Sequence, residues 1–368
     1  MPPLRIGINA LYLIPGGVGG TEIYLRGLLQ GMAEIDSRNQ YFVFYNRETG
    51  PGIVPLQDNF RGVSMGLRAA FRPARILWEQ TALPLCAARL RLDAMLNPGF
   101  TAPLYSPCPA VTVFHDLQHK RHPEYFRWFD LPFWRLLLYM SAHRADVILA
   151  DSESTRADLL RYYRLPAGRI EVAPLGVDPK FFGLARVPEK FLLAVSTLHP
   201  HKGHDSLLRA FAEFRRSRPD FRLVIAGMRG FHTEALERLR GELGLADAVD
   251  FTGWIPREDL YSLYSRAWAF FYPSTFEGFG LPVVEALAAG VPSACSDIQP
   301  LAGIAGGAAL LFEPGSTGIL DAMLRLSADA GLRSRLAEAG PERARQFSWT
   351  STARTTLHAI LQAISKRV

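Results

Sequence analysis

The segment Trp268–Pro292, W-A-F-F-Y-P-S-T-F-E-G-F-G-L-P-V-V-E-A-L-A-A-G-V-P, limits the possible folds most sharply. Its apolar run 268–272 reads as a strand buried on both faces of a parallel sheet; a strand with one wet face would alternate polar and apolar residues. Pro282 to Ala289 then reads as a helix, with proline in its first turn and Gly290 closing it. Strands buried on both faces need helices on both sides, so the fold class is α/β. Between strand and helix lies a glycine-bearing loop. Such a turn presents backbone N–H groups and the positive end of a helix dipole, which suits a phosphate. Glu277 and Glu285 stand eight positions apart across it. A carboxylate can accept two hydroxyl hydrogen bonds, so the pair suits a sugar or ribose. The same spacing also fits a buried loop whose glutamates cap the helix and pair with arginines.

The strand–loop–helix rhythm recurs along the chain. Residues 4–10 read as a strand, followed by Pro15-Gly16-Gly17-Val18-Gly19-Gly20 and a helix from about Thr21. That loop lacks G-x-G-x-x-G spacing, and the second strand, Tyr41–Tyr45, leads into Asn46-Arg47 rather than an acid. A nicotinamide-dependent epimerase or dehydrogenase is therefore set aside. Residues 50–92 read as irregular. Short strands follow at 93–97 and 110–114, the second running into His115-Asp116, where open α/β sheets bind ligands. A histidine bonded to backbone at a strand end is the plainer reading of His115. Phe126–Ala142 reads as a long helix whose aromatic residues pack on the sheet; a membrane interface is the alternative. A strand at 145–150 precedes a helix with Ser152 as its capping residue. Pro179 to Glu189 reads as a hinge by composition. Strands at 191–196, 221–227, 249–253 and 292–296 follow, with two helices over 320–346 and a last one from about 347. Lys202, past the carboxyl end of strand 191–196 and facing a helix start, is a candidate diphosphate clamp.

At 368 residues the chain suits two domains. Its 48% hydrophobic and 21% charged residues describe a globular protein with large cores. No apolar run approaches the roughly 20 residues of a membrane span. Three cysteines without metal spacing point to a reduced, cytoplasmic protein. The net charge of +6 is mild, but residues 61–91 hold six arginines (61, 68, 72, 75, 89 and 91) against one acid, Glu79. That face could meet anionic lipid or a diphosphate-linked acceptor. No recognition motif accompanies the charge, so nucleic acid is not expected.

E-G-F-G-L-P-V-V-E-A-L-A-A-G-V-P resembles the E-x7-E motif of the retaining, nucleotide-sugar-dependent glycosyltransferases of the group 1 (family 4) type. The likeness runs from Gly253-Trp254-Ile255-Pro256 to Glu313-Pro314 and more loosely over nearly the whole chain. His115-Asp116-Leu117 and His122-Pro123-Glu124-Tyr125-Phe126 match segments common in mannosyltransferase-like branches. Two features depart from the pattern. His201 stands where an arginine is usual, which makes pH-dependent donor binding an expectation. Ala302-Gly303 and Gly307 replace a usual Pro-Glu and Asp.

The resemblance implies the GT-B fold: two doubly wound Rossmann-like domains facing a cleft, with a C-terminal helix crossing back to the first. The expected boundaries are 1–182 with 350–368 on the acceptor side and 187–349 on the donor side. It implies roles for single residues. Glu277 holds sugar hydroxyls and supports developing positive charge, and His115 orients the sugar. Lys202 with His201 and the Gly16-Gly17 loop faces the diphosphate. Trp254 and Ile255 meet the nucleobase through backbone. Phe279, Gly280 and Leu281 line the donor, and Glu285 holds the ribose. The implied reaction is metal-free transfer, with no cofactor, of a sugar such as mannose from GDP-mannose. The acceptor is a lipid-linked oligosaccharide or polysaccharide precursor at the cytoplasmic membrane face. UDP-sugar donors, and a silent nucleotide-sugar-binding protein, are the alternatives.

Overall fold

The computed structural model describes residues 2–17 and 19–367, which form two compact units. Unit 1 spans Met1–Gly176 and Ser348–Val368, and unit 2 spans Val177–Phe347. In chain order unit 1 contains β1 (Arg5–Asn9), α1 (Gly20–Ile35), β2 (Gln40–Tyr45), β3 (Phe60–Ser64), α2 (Arg72–Gln80), α3 (Ala82–Arg89), β4 (Ala94–Asn97), β5 (Ala110–Phe114), α4 (Gln118–Arg121), α5 (Leu131–Arg144), β6 (Val147–Ala150), α6 (Glu153–Tyr163) and β7 (Ile170–Val172). Its sheet is parallel throughout, in the order β3-β2-β1-β4-β5-β6-β7. Neighbouring strands numbered outward from β1 and from β4 make β1/β4 the switch point, where connections leave in opposite directions.

Unit 2 contains β8 (Phe191–Val195), α7 (His204–Ser217), β9 (Arg222–Ala226), α8 (Thr233–Glu242), β10 (Val249–Gly253), α9 (Arg257–Arg266), β11 (Ala269–Tyr272), α10 (Leu281–Ala288), β12 (Ser293–Ser296), α11 (Leu301–Ala305), β13 (Leu310–Phe312), α12 (Ser316–Ala328) and α13 (Ala330–Ala344). Its sheet is again parallel, in the order β10-β9-β8-β11-β12-β13, with the switch point at β8/β11. The expected strand character of 268–272 follows from burial: Phe270 and Phe271 are fully enclosed.

The last helix, α14 (Trp349–Ser365), packs on α1 in unit 1. A Cβ at Gly27 or Gly31 would fall 2.1 Å and 2.3 Å from Trp349 atoms. Those two glycines, one helical turn apart, form the groove that Trp349 fills.

Three expectations need correction. Residues 50–92 are not irregular: Phe60–Ser64 is a strand registered on β2, and α2 and α3 follow. The short, polar β3 alternation F-R-G-V-S at a sheet edge gives little apolar signal. The helix expected at 126–142 starts at Leu131, and its aromatic face is not packed away: Trp128, Phe129, Phe133, Leu136 and Tyr139 are exposed. The segment expected as a hinge at 179–189 belongs to unit 2. Phe181 is fully buried against Tyr261 and Tyr264, and Asp178 accepts from Tyr261 Oη. Among the described residues no helix is long and apolar enough to cross a membrane.

Candidate active site

In unit 2 the loops that leave the switch-point strands meet. After β8 the chain turns through Pro200–Lys202 into Gly203; after β11 it passes through Pro273–Gly280 into α10. The two loops are tied at one atom: the His201 carbonyl accepts from the Thr275 amide (2.7 Å), with Thr275 Oγ1 (3.1 Å) and Ser274 Oγ (3.0 Å) also in reach. Gly203 makes this approach possible. Its φ is +69°, and a Cβ there would lie 2.1 Å from the Pro273 carbonyl oxygen.

The tie sets Lys202 against Glu277. Lys202 Nζ donates to Glu277 Oε1 at 2.6 Å and lies 3.4 Å from Tyr272 Oη. Both side chains are only slightly exposed. A close pair in a partly dry setting is worth more than a surface salt bridge, yet each partner has capacity left: the ammonium has three donors and the carboxylate two oxygens. Behind it, burial pushes the Tyr272 phenol well above the ordinary range, and the Glu277 charge and hydrogen bond push it the same way. Next door, Gly280 caps α10 at φ +111° without any side-chain cap. The helix N-terminus beside Glu277 therefore keeps its anion-attracting character.

Glu285 sits elsewhere, on the inner side of α10 and 2% exposed. Arg257 Nη1 donates to its Oε1 at 2.9 Å, and Tyr264 Oη reaches its Oε2 at 3.2 Å. Burial pushes the Glu285 carboxyl up; Arg257 and Tyr264 pull against that. Burial also pulls the Arg257 guanidinium down, but Glu285, Tyr261 and Asp178 outweigh it. The glutamate–arginine pairing that the spacing allowed is the observed arrangement. Arg257 escaped the sequence reading, although a signal exists: an arginine in the first turn of a helix opposes the dipole, so it needs a carboxylate nearby. Of the other expected donor residues in unit 2, Trp254 is 63% exposed and Ile255 half-buried. Phe279 and Leu281 are buried, Phe279 edge-on to Phe347. His201 is buried and stacks near His199 at 5.8 Å.

In unit 1, His115 follows β5 and is enclosed. Nδ1 lies 2.7 Å from Asp151 Oδ2 and Nε2 lies 2.8 Å from the Pro98 carbonyl, with Tyr24 and Phe100 edge-on to the ring. With the Asp151 carboxylate ionised, both ring nitrogens face acceptors and must donate, which makes the ring an imidazolium. Burial pulls its pKa down, but the Asp151 charge, that hydrogen bond and the Pro98 carbonyl raise it above the ordinary value. Both ring nitrogens are thus committed, and the expected sugar-orienting hydrogen bond from this ring is not available in this arrangement. The Asp151 partner was not anticipated; it directly follows β6, the neighbour of β5.

The Gly16-Gly17 amides are also committed. Gly16 donates to Glu22 Oε2 at 2.8 Å and Gly17 to the Ile14 carbonyl at 2.8 Å. What Gly16 supplies is a left-handed turn at φ +70°, not a free amide for a diphosphate. Val18 lies outside the described residues. Among the described residues no cluster of three His, Cys, Asp or Glu side chains has metal-ligand geometry.

Two parallel-sheet units with charged groups at their strand ends are a frame that several activities share, and comparison with known proteins names the one here. Residues 18–181 match the model of Glycosyltransferase Family 4, and 179–343 that of the Glycosyl transferases group 1. O-antigen chain mannosyltransferase B of Escherichia coli is 32% identical over 267 residues, 68% of this chain and 69% of that one. A D-inositol 3-phosphate glycosyltransferase of Kribbella flavida is 31% identical across 97% of this chain and 95% of its own. Among solved structures, sucrose-phosphate synthase from Thermosynechococcus elongatus has a TM-score of 0.81 at 20% identity, covering 99% of this chain and 100% of that one. The fold is GT-B. The chain belongs to the group 1 (family 4) glycosyltransferases and is a hexosyltransferase.

Proposed function

We propose that the protein transfers mannose from GDP-mannose, with retention of configuration, to a hydroxyl of a lipid-linked oligosaccharide or polysaccharide precursor. The observation that carries the chemistry is the Lys202–Glu277 pair beside the uncapped start of α10. The mannose assignment rests on the relatives named as mannosyltransferases and on the H-D-L and H-P-E-Y-F segments.

On donor binding, the diphosphate takes up Lys202 and the α10 N-terminus, and Glu277 turns to the sugar hydroxyls. The bond from C1 to the diphosphate oxygen breaks as negative charge builds on the leaving group. Lys202 and the helix dipole stabilise that charge without a metal. The acceptor oxygen bonds to C1 on the same face. Its proton passes to a phosphate oxygen of the leaving GDP, so no separate base is needed. Glu285, with Arg257 holding one oxygen, keeps capacity for ribose hydroxyls on the other. His115, locked by Asp151 and Pro98, positions the strand ends. The exposed Phe129, Phe133, Leu136 and Tyr139 of the α5 region support peripheral contact with a membrane.

A thermal-shift and calorimetric panel of GDP, UDP, ADP and their sugars, with and without EDTA, tests this. Stabilisation by GDP and GDP-mannose alone, unchanged by EDTA and lost in Lys202→Ala, is expected. Stabilisation by UDP compounds instead removes mannose from the reading. An EDTA-sensitive response removes metal independence. No nucleotide response removes the site itself.

A further inference from the structure

Unit 1 has its own switch point, between β1 and β4, and open α/β sheets leave a ligand crevice past the carboxyl ends at such a point. Asn9 ends β1 and Asn97 ends β4. Asn9 Nδ2 lies 3.2 Å from Asn97 Oδ1 and 3.3 Å from Glu79 Oε2; Thr101 Oγ1 donates to that same carboxylate oxygen at 3.0 Å. Glu79 is 1% exposed. It therefore pins α2 across the carboxyl ends of both strands. Arg75 and Arg72 precede it by four and seven residues, on the same helix face. The α2 helix carries a ladder outward from the switch point: a sealed carboxylate, then two guanidinium groups.

The outer rungs are built for something beyond the protein. The Arg72 guanidinium lies over the Trp134 ring, 3.7 Å from its centroid. Stacking on the indole engages the guanidinium face and leaves its edge donors for hydrogen bonds. Arg72 Nη2 and Arg75 Nε are buried with no hydrogen-bond partner among the described residues. Arg72 feels Asp130 and Arg75 feels Glu79, but the two guanidinium groups also oppose each other, and burial pulls both pKa values down. An unsatisfied buried donor on a charged group is a standing cost that a hydrogen-bonded oxyanion would remove.

We propose that Arg72 and Arg75 form an oxyanion subsite for a phosphate-type group on the acceptor, with Trp134 holding Arg72 flat. That the ligand is the acceptor rests on the glycosyl-transfer reading; the anion site itself does not. A planar fork and a second guanidinium one turn away match the oxygens of a phosphate or diphosphate. Exposed Leu77 on the same helix and Phe71 just before it suit an acceptor whose phosphate carries an apolar chain.

The test is calorimetric titration of the full chain, its donor site kept filled with excess GDP, with inorganic pyrophosphate, geranyl diphosphate and glucose 1-phosphate, and GDP alone is titrated in parallel. Arg72→Gln/Arg75→Gln is expected to weaken pyrophosphate roughly ten- to a hundred-fold while GDP binding stays as in the parent. Lys202→Ala should do the reverse. Arg72→Lys keeps the charge but not the fork, and should weaken pyrophosphate several-fold with an unchanged melting temperature. It decides the matter should the double variant fail to fold. Pyrophosphate binding at parental affinity in Arg72→Lys and in a folded double variant overturns the proposal. Tighter binding of geranyl diphosphate than of pyrophosphate supports it with a lipid-linked acceptor; equal binding of glucose 1-phosphate supports it with a soluble one. Binding only to phosphatidylglycerol vesicles, with no pyrophosphate competition, marks a membrane surface and overturns it. Loss of GDP binding in the parent, with the pyrophosphate subsite intact, removes the donor reading and leaves this site standing.

Discussion

The switch points of the two units carry opposite chemistry on nearly the same backbone plan. At β8/β11 a lysine and a glutamate face each other at 2.6 Å, tied by loops that meet on one carbonyl, with spare donors and lone pairs on both. At β1/β4 the acid is sealed among two asparagines and a threonine, and the charge that faces outward is arginine. Parallel topology decides where a ligand can lie, because it gathers loops and helix starts at one edge. Side chains decide what can lie there. A paired lysine and glutamate suit a ligand with both an anion and hydroxyls; an arginine ladder suits an anion alone.

The strongest way to break that comparison is to remove one partner at β8/β11. Lys202→Ala and Glu277→Gln should each lower turnover roughly 10²–10³-fold, the usual size for losing one group that meets transition-state charge. Urea denaturation should show both variants close to parental stability. Turnover within a factor of a few of the parent would move the active centre elsewhere. Glu285→Ala tests the neighbouring buried pair. It strands Arg257, whose side chain is 31% exposed, so the expected loss is roughly 2–4 kcal/mol in the denaturation midpoint analysis. An unchanged midpoint would mean that Arg257 finds water at little cost.

Gly203→Ala asks whether the loop tie matters. The left-handed φ and the Pro273 oxygen at 2.1 Å predict roughly 1–3 kcal/mol of destabilisation, accompanied by weaker nucleotide binding. Weakened stability with intact nucleotide affinity would separate the tie from the site.

His115 and Asp151 give a pH signature confined to unit 1. The folded His115 pKa is raised, and burial also raises that of Asp151. Both directions leave the folded state holding more protons than the unfolded one. The His115 contribution is then fully present below the unfolded histidine pKa, about 6.5, and is lost as pH rises through the folded value, whereas the Asp151 contribution begins to fall at the unfolded aspartate pKa, about 3.9. His115→Gln should flatten this slope. Parallel midpoint-versus-pH curves for parent and variant would contradict the imidazolium. The smallest effect belongs to the surface: Phe133→Ser should change stability by less than about 0.5 kcal/mol while reducing retention on anionic vesicles.

The buried strands and the helix starts were legible because their signals are local. Phe270-Phe271 has no polar face to offer water, and Gly280-Leu281-Pro282 can hardly do anything but open a helix. β3 was not legible, since an edge strand of alternating polar residues looks like a loop until a partner strand supplies its register. The aromatic run before and within α5 misled for a related reason. Apolar spacing marks a face, and the chain alone does not say whether sheet, membrane or water covers it. Arg257 was legible in principle through its misfit with the helix dipole.

The sequence by itself therefore determined the α/β class, the order of most strands outside residues 50–92, and which acids and bases lie near strand ends. Tertiary structure alone decided who pairs with whom. Lys202 took Glu277, Glu285 took Arg257, and His115 took Asp151 and the Pro98 carbonyl, across separations of 75, 28, 36 and 17 residues. Burial period and turn chemistry act over a few residues and can be read along the chain. Charge pairing acts through space between loops, and its partners exist only once the sheets have brought them together.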